Sequence, residues 1–186
     1  MANLDAPRGF RAMQNEAGTA PKLQAFTIAT STTVYEGTPV AINTTGQVVA
    51  FSVASTIISK RGIGVAAHYR SASDSSGTVA VYTDPHQLYA VQVDDNTLTV
   101  IGDVVFRNFA ATLLASGNGT TLQSIAEIDG STGTKVSVPG TTNRPFKAVR
   151  FSGNIQNDNS TSWNEIVVQF NSQYHMGAGG SADEGV

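Results

Sequence analysis

From Gln24 onward the chain is written in short runs where apolar and polar residues alternate, and Gly, Asn, Ser and Thr cut the runs apart. A period of two puts one face of a strand against a core and the other in water, which a helical bundle cannot reproduce. The cleanest run is 163–170, where Ile166, Val168 and Phe170 fall on one side and Glu165 and Gln169 on the other, as in a half-buried antiparallel strand. Phe26 and Ile28 share a face near the start of the body. Val40 and Ile42, then Val49 and Phe51, flank Asn43-Thr44-Thr45-Gly46, a hairpin whose loop uses Gly46 for positive φ. The runs 77–83 and 88–93, joined by Asp84-Pro85-His86-Gln87, predict a second hairpin, with Tyr89, Val91 and Val93 on one side.

Further strands are predicted at 121–128, 135–138 and 147–151. One stretch departs from the pattern: Phe109 with Leu113, and Ala110 with Leu114, recur four residues apart, so 109–116 is expected as a two-turn helix ended by Gly117. The expected fold class is therefore all-β, mainly an antiparallel barrel or sandwich with at most one or two short helices.

Residues 1–23 lack either period. Within them Ala6-Pro7-Arg8-Gly9-Phe10-Arg11 gathers a proline, a glycine, an aromatic and two guanidinium groups. Such a segment builds no core of its own, so it is expected as an extended N-terminal arm with Pro7, Arg8, Gly9, Phe10 and Arg11 meeting another surface. The body is expected over 24–176. The Gly-rich, acidic stretch 177–186 is expected as a flexible tail.

The 186 residues suffice for one domain that removes about 70% of its unfolded surface from water. Only 13% are charged, and the net charge is -3, so no basic footprint for a phosphate backbone exists and nucleic acid is not an expected partner. The chain holds no cysteine, which excludes disulfides, thiolate metal sites and cysteine nucleophiles. No apolar run approaches the roughly 20 residues needed to cross a bilayer as a helix, and the start lacks the basic and apolar regions of a secretion signal, so no membrane contact is expected.

No phosphate-cradling glycine loop with its lysine, no G-x-S-x-G elbow and no H-E-x-x-H helix occurs. His68, His86 and His175 stand on separate segments and read as surface or core fillers, so neither a metal nor a cofactor is expected. Asp94-Asp95-Asn96 and Asn157-Asp158-Asn159 lack the alternating oxygen spacing of a calcium loop and read as solvated turns. The sequons at Asn43, Asn118 and Asn159 read as turn residues too. Trp163 and Tyr69 are the candidate surface aromatics; Trp163 either closes a core edge or stacks on a sugar or partner.

Three stretches resemble, in order, a family of tailed-bacteriophage capsid decoration, or cement, proteins: Asn3-Leu4-Asp5-Ala6-Pro7-Arg8-Gly9-Phe10-Arg11, then Val81 to Asp95 (VYTDPHQLYAVQVDD), then Ile166 to Tyr174 (IVVQFNSQY). Ala126-Glu127-Ile128-Asp129 before a Ser/Thr/Gly loop, and Arg144-Pro145 before the final strand, also look like that layout. The resemblance implies a non-enzymatic, mostly β protein. It implies a place on the outer surface of the virion capsid after synthesis in the host cytoplasm, contact with the major capsid protein, and self-association as a homotrimer. The arm would then bridge neighbours. Two other readings stay open on the residues: a carbohydrate-binding module whose glycan contact uses Trp163 and Tyr69, and an enzyme built on Asp84, His86 and Asp95.

Overall fold

The computed structural model describes residues 5–15, 17–51, 62–74, 77–94, 104–134, 144–153, 157 and 163–171. A six-stranded sheet runs in the order β1 (Arg11–Ala12), β7 (Tyr89–Gln92), β11 (Glu165–Phe170), β10 (Phe146–Phe151), β8 (Asn108–Thr112) and β9 (Glu127–Thr134). A five-stranded sheet runs β2 (Leu23–Thr27), β6 (Thr78–Tyr82), β5 (Gly62–Ala66), β3 (Pro39–Ile42) and β4 (Val48–Ala50). Every pairing between these strands is antiparallel. The described residues thus form the two antiparallel sheets of a sandwich, and among them there is no closed barrel.

The alternation explains the layers. Tyr89, Val91, Ile166, Val168, Phe170, Phe146, Ala148, Phe109, Ala111 and Ile128 point from the six-stranded sheet into one core, where Ala41, Val65 and Phe51 meet them from the other sheet. The opposite face of the five-stranded sheet is buried as well: Val40, Val48, Ile63, Val79 and Val81 pack beneath Ile28 and Val34. A sheet covered on both faces favours continuous apolar runs, and β5 is buried at all of its positions.

The expected β3–β4 hairpin forms, with Val40 opposite Ala50 and Ile42 opposite Val48, and Gly46 turns it at φ 77°. Asn43 Oδ1 accepts from the backbone N–H groups of Thr45 and Gln47, and Asn118 Oδ1 from those of Thr120 and Thr121, so both residues hold turns. Other expectations are corrected. The runs 77–83 and 88–93 are strands but not a hairpin, because β6 and β7 belong to different sheets. The buried Gln87 side chain donates to the Leu88 carbonyl at 2.9 Å and to that of Met13, which fixes the crossing, and Tyr89 then reaches back to donate its hydroxyl to the Tyr82 carbonyl at 3.1 Å.

The helix expected at 109–116 is the strand β8 and the turn that follows. Phe109 and Ala111 face the core, while β9 and β10 supply ladder partners that a two-turn helix would leave unused. The strand expected at 121–128 begins only at Glu127. The stretches 135–138 and 177–186 lie outside the described residues.

The largest correction concerns the arm. Phe10 is 1% exposed, its ring centroid 4.6 Å from that of Phe146 and 6.4 Å from that of Tyr89. Its backbone N–H donates to the Gly37 carbonyl at 2.9 Å, Arg11 and Ala12 pair with Ala90 and Tyr89, and Met13 N–H donates to the Leu88 carbonyl at 2.9 Å. Residues 9–13 are therefore a strap on the body's own sheet edge. The expectation failed because the body offers Phe10 a buried place beside Phe146 and Tyr89, and the tether to the body presents Phe10 to that place first.

Gly9 makes the strap fit. At φ 64° it sits in a region closed to most residues, and a Cβ there would lie 2.6 Å from Ser124 Cβ and 2.8 Å from the Gly37 carbonyl oxygen. Gly9→Ala is expected to lower unfolding free energy by about 2 to 4 kcal/mol through strain and overlap, and Phe10→Ala by about 3 to 5 kcal/mol through the cavity it leaves. Urea unfolding checks both. A loss below about 1 kcal/mol in either would show the strap to be peripheral.

Candidate functional site

The strap sorts the predicted contact residues into two groups. Gly9 and Phe10 are buried and unavailable to a partner, so their assignment as surface contacts is corrected; Pro7 is half-buried, while Arg8 and Arg11 are exposed. Arg11 pairs with the Glu165 carboxylate, which also accepts from the Ser152 hydroxyl. Burial first, and the neighbouring Arg8 second, pull the Arg11 pKa below its ordinary value. Asn157 holds the start of β11 as a neighbouring strand would: its Oδ1 accepts from Glu165 N–H at 2.7 Å and its Nδ2 donates to the Glu165 carbonyl at 2.9 Å.

The two candidate aromatics are not brought together. Tyr69 stacks with Tyr35 at 5.5 Å between ring centroids, on the loop after β5, whereas Trp163 leads into β11 of the other sheet and is 38% exposed. Trp163 shares a property with three residues that the sequence reading missed. Phe106 (65% exposed, φ 60°), Leu113 (50%, φ 51°), Leu122 (39%, φ 59°) and Trp163 (φ 54°) are all large, apolar, exposed and left-handed. Phe106 carries the Lys147 ammonium 5.2 Å above its ring. The sequence signal was weak: each apolar residue stands beside a turn, but nothing in composition announces positive φ.

The enzyme reading gains nothing. Asp84 and His86 share a turn in which His86 N–H donates to Asp84 Oδ1 at 2.9 Å, and Asp84 is occupied by the Asn15 amide at 3.0 Å. That Asn15 hydrogen bond, followed by the His86 backbone bond, holds the Asp84 pKa below its ordinary value. Asp95 and His175 lie outside the described residues. Among the described residues no three His, Asp or Glu side chains are grouped to hold a metal ion.

One carboxylate is unusual. Glu127 is 8% exposed, its Oε1 has no hydrogen-bond partner among the described residues, and Asp94 and Asp5 lie close enough to repel it. Burial first, then those two charges, push its pKa up to about 7. The sequence marks it only as a charge set in the apolar run Ile125 to Ile128. Asp94 itself accepts from Gly130 N–H at 3.1 Å, as a turn residue does.

Comparison with protein-family models finds no match, and comparison with curated proteins and with solved structures finds none either.

Glu127 sets a pH dependence of stability. Its unfolded form ionises near 4.5 and its folded form near 7, so between these values the folded state binds more protons and stability falls as pH rises. The penalty is absent below about pH 4.5 and complete above about pH 7. Glu127→Gln is expected to stabilise the protein by about 1 to 2 kcal/mol at pH 8, after allowance for solvent screening, and to leave it unchanged at pH 4. Paired urea titrations at the two pH values measure this; a gain of equal size at both would exclude titration of Glu127 as its cause.

Proposed function

We infer that the chain is a non-enzymatic structural protein of a virion, which decorates and stabilises an icosahedral phage head by docking on major capsid protein subunits from outside. The observation that carries this reading is the coincidence of exposure and positive φ at Phe106, Leu113, Leu122 and Trp163. Left-handed backbone costs a non-glycine residue about 1 to 2 kcal/mol, and an apolar side chain in water forgoes its burial. Glycine or asparagine at these turns would avoid both costs, so folding alone gives no reason for the residues present. A docking surface does: a turn is where an apolar side chain projects furthest, and burial against a partner rewards it.

The partner is named by the resemblance of the sequence to capsid decoration proteins, and the absence of a basic footprint weighs against nucleic acid. Homotrimers, with no cofactor and no membrane contact, belong to the same proposal. The arm's part in it is narrower than the sequence implied. With residues 9–13 committed to their own body, Pro7 and Arg8 are, of the five predicted contact residues, the two left to meet a neighbour.

A second reading, a carbohydrate-binding module on the virion surface, draws on the exposed Trp163 ring and the Tyr35–Tyr69 pair, and a glycan array without hits would remove it. The docking reading is tested with Leu113→Gly and Leu122→Gly. Each is expected to leave stability unchanged or to raise it by up to about 1 kcal/mol, because strain is released. Together they are expected to lower occupancy on undecorated heads. Full occupancy by the double variant would sink the reading.

A further inference from the structure

The outer face of the six-stranded sheet holds a groove that docking through loop tips does not use. Register places it: Arg11 pairs with Ala90, Ala90 with Val167 and Val167 with Arg150, and directly paired residues share a face. A row across β1, β7, β11 and β10 thus ends in a guanidinium on each side, with backbones about 14 Å apart over three strand spacings. Between them Val167 is fully buried, and Ala90 forms part of the lining. A cleft of about 450 Å³ opens along this row and a second of about 500 Å³ adjoins it at Arg150, both lined by Met13 and Arg150.

The charges in the groove are unbalanced. Arg11 is engaged with Glu165, but the exposed Arg150 makes, among the described residues, one hydrogen bond, to the Phe151 carbonyl at 3.3 Å. Arg11 and Arg150 thus set two guanidinium groups against one carboxylate on a protein whose net charge is -3, and the charge of Arg8 acts on Arg11 from nearby. A guanidinium fork matches a carboxylate in bidentate geometry. A nucleic-acid strand suits the groove less well, because its continuous phosphates would run against Glu165.

We propose that this groove takes an extended acidic segment of the protein surface on which the chain docks, one of its carboxylates bound by Arg150. The groove's chemistry stands by itself; the source of the segment rests on the docking reading above.

The test is a titration of the full chain with a synthetic peptide of alternating Gly and Asp, followed by NMR at the Ala90 amide and the Arg150 Nε–H. Saturable shifts are expected, absent with the Gly–Asn counterpart and lost as salt rises from about 20 to about 300 mM. Arg150→Ser is expected to weaken binding about tenfold, and Arg150→Lys, which keeps the charge but loses the fork, by an intermediate factor. Unmoved signals, unchanged affinity in the folded Arg150 variants, or stronger shifts with oligothymidylate would overturn the proposal. An Arg150→Ser protein that loses the peptide yet fills undecorated heads normally would overturn the shell as the segment's source and leave docking intact. Failure of the wild type to bind heads would remove the docking reading, while the peptide titration still decides the groove.

Discussion

Phe10 entering the core is the contact on which the rest of the molecule depends. Around it three stretches remote in sequence close on one another: Gly9 lies against Ser124, Phe10 N–H reaches the Gly37 carbonyl, and Ser124 N–H donates to the Glu36 carbonyl at 2.7 Å. The strap also covers the edge of β7, which would otherwise present unpaired backbone groups to any passing strand. Sealing that edge from within removes the simplest route by which a free arm could join a neighbour's sheet. It also explains why so small a strand matters, since β1 contributes two ladder residues but directly follows Phe10, one of the largest fully buried side chains.

Strands whose polar and apolar residues alternate were legible from period alone, as β11, β10 and the β3–β4 hairpin show. What escaped was decided by partners far away in the chain. Phe109 to Leu114 fits a helix as well as a strand by spacing, and only the ladders of β9 and β10 choose between them. Asp84 to Gln87 looks like a hairpin turn, but Gln87 is tied to Met13, a residue of the strap, so the chain leaves for the other sheet. The arm was misread for the same reason: nothing local in Ala6 to Arg11 tells that a cavity shaped for Phe10 waits beside Phe146 and Tyr89.

The candidate surface was less legible than the fold. Arg8 and Trp163 were singled out and are exposed, yet Phe106, Leu113 and Leu122 passed unnoticed, because a left-handed backbone at a bulky residue has no signature in composition. Arg150 was hidden differently. The register shift between Ala148 and Arg150 in β10 moves it out of phase with the strand's alternation, so a pattern of two cannot say which face receives it. Both cases are departures from local rules, and functional residues concentrate where such rules are broken.

Loop tips and the groove divide the work of recognition under the proposed reading. Burying one Leu or Phe yields about 1.5 to 3 kcal/mol, far short of the cost of immobilising a protein on a surface. Four such residues together approach what a weak contact requires, but they carry little directional information. The Arg150 fork supplies direction, since a bidentate carboxylate pair fails when misaligned. Several copies acting on one shell would then raise occupancy through effective concentration, so each contact can stay weak, and the strain stored at the tips need not be large to matter.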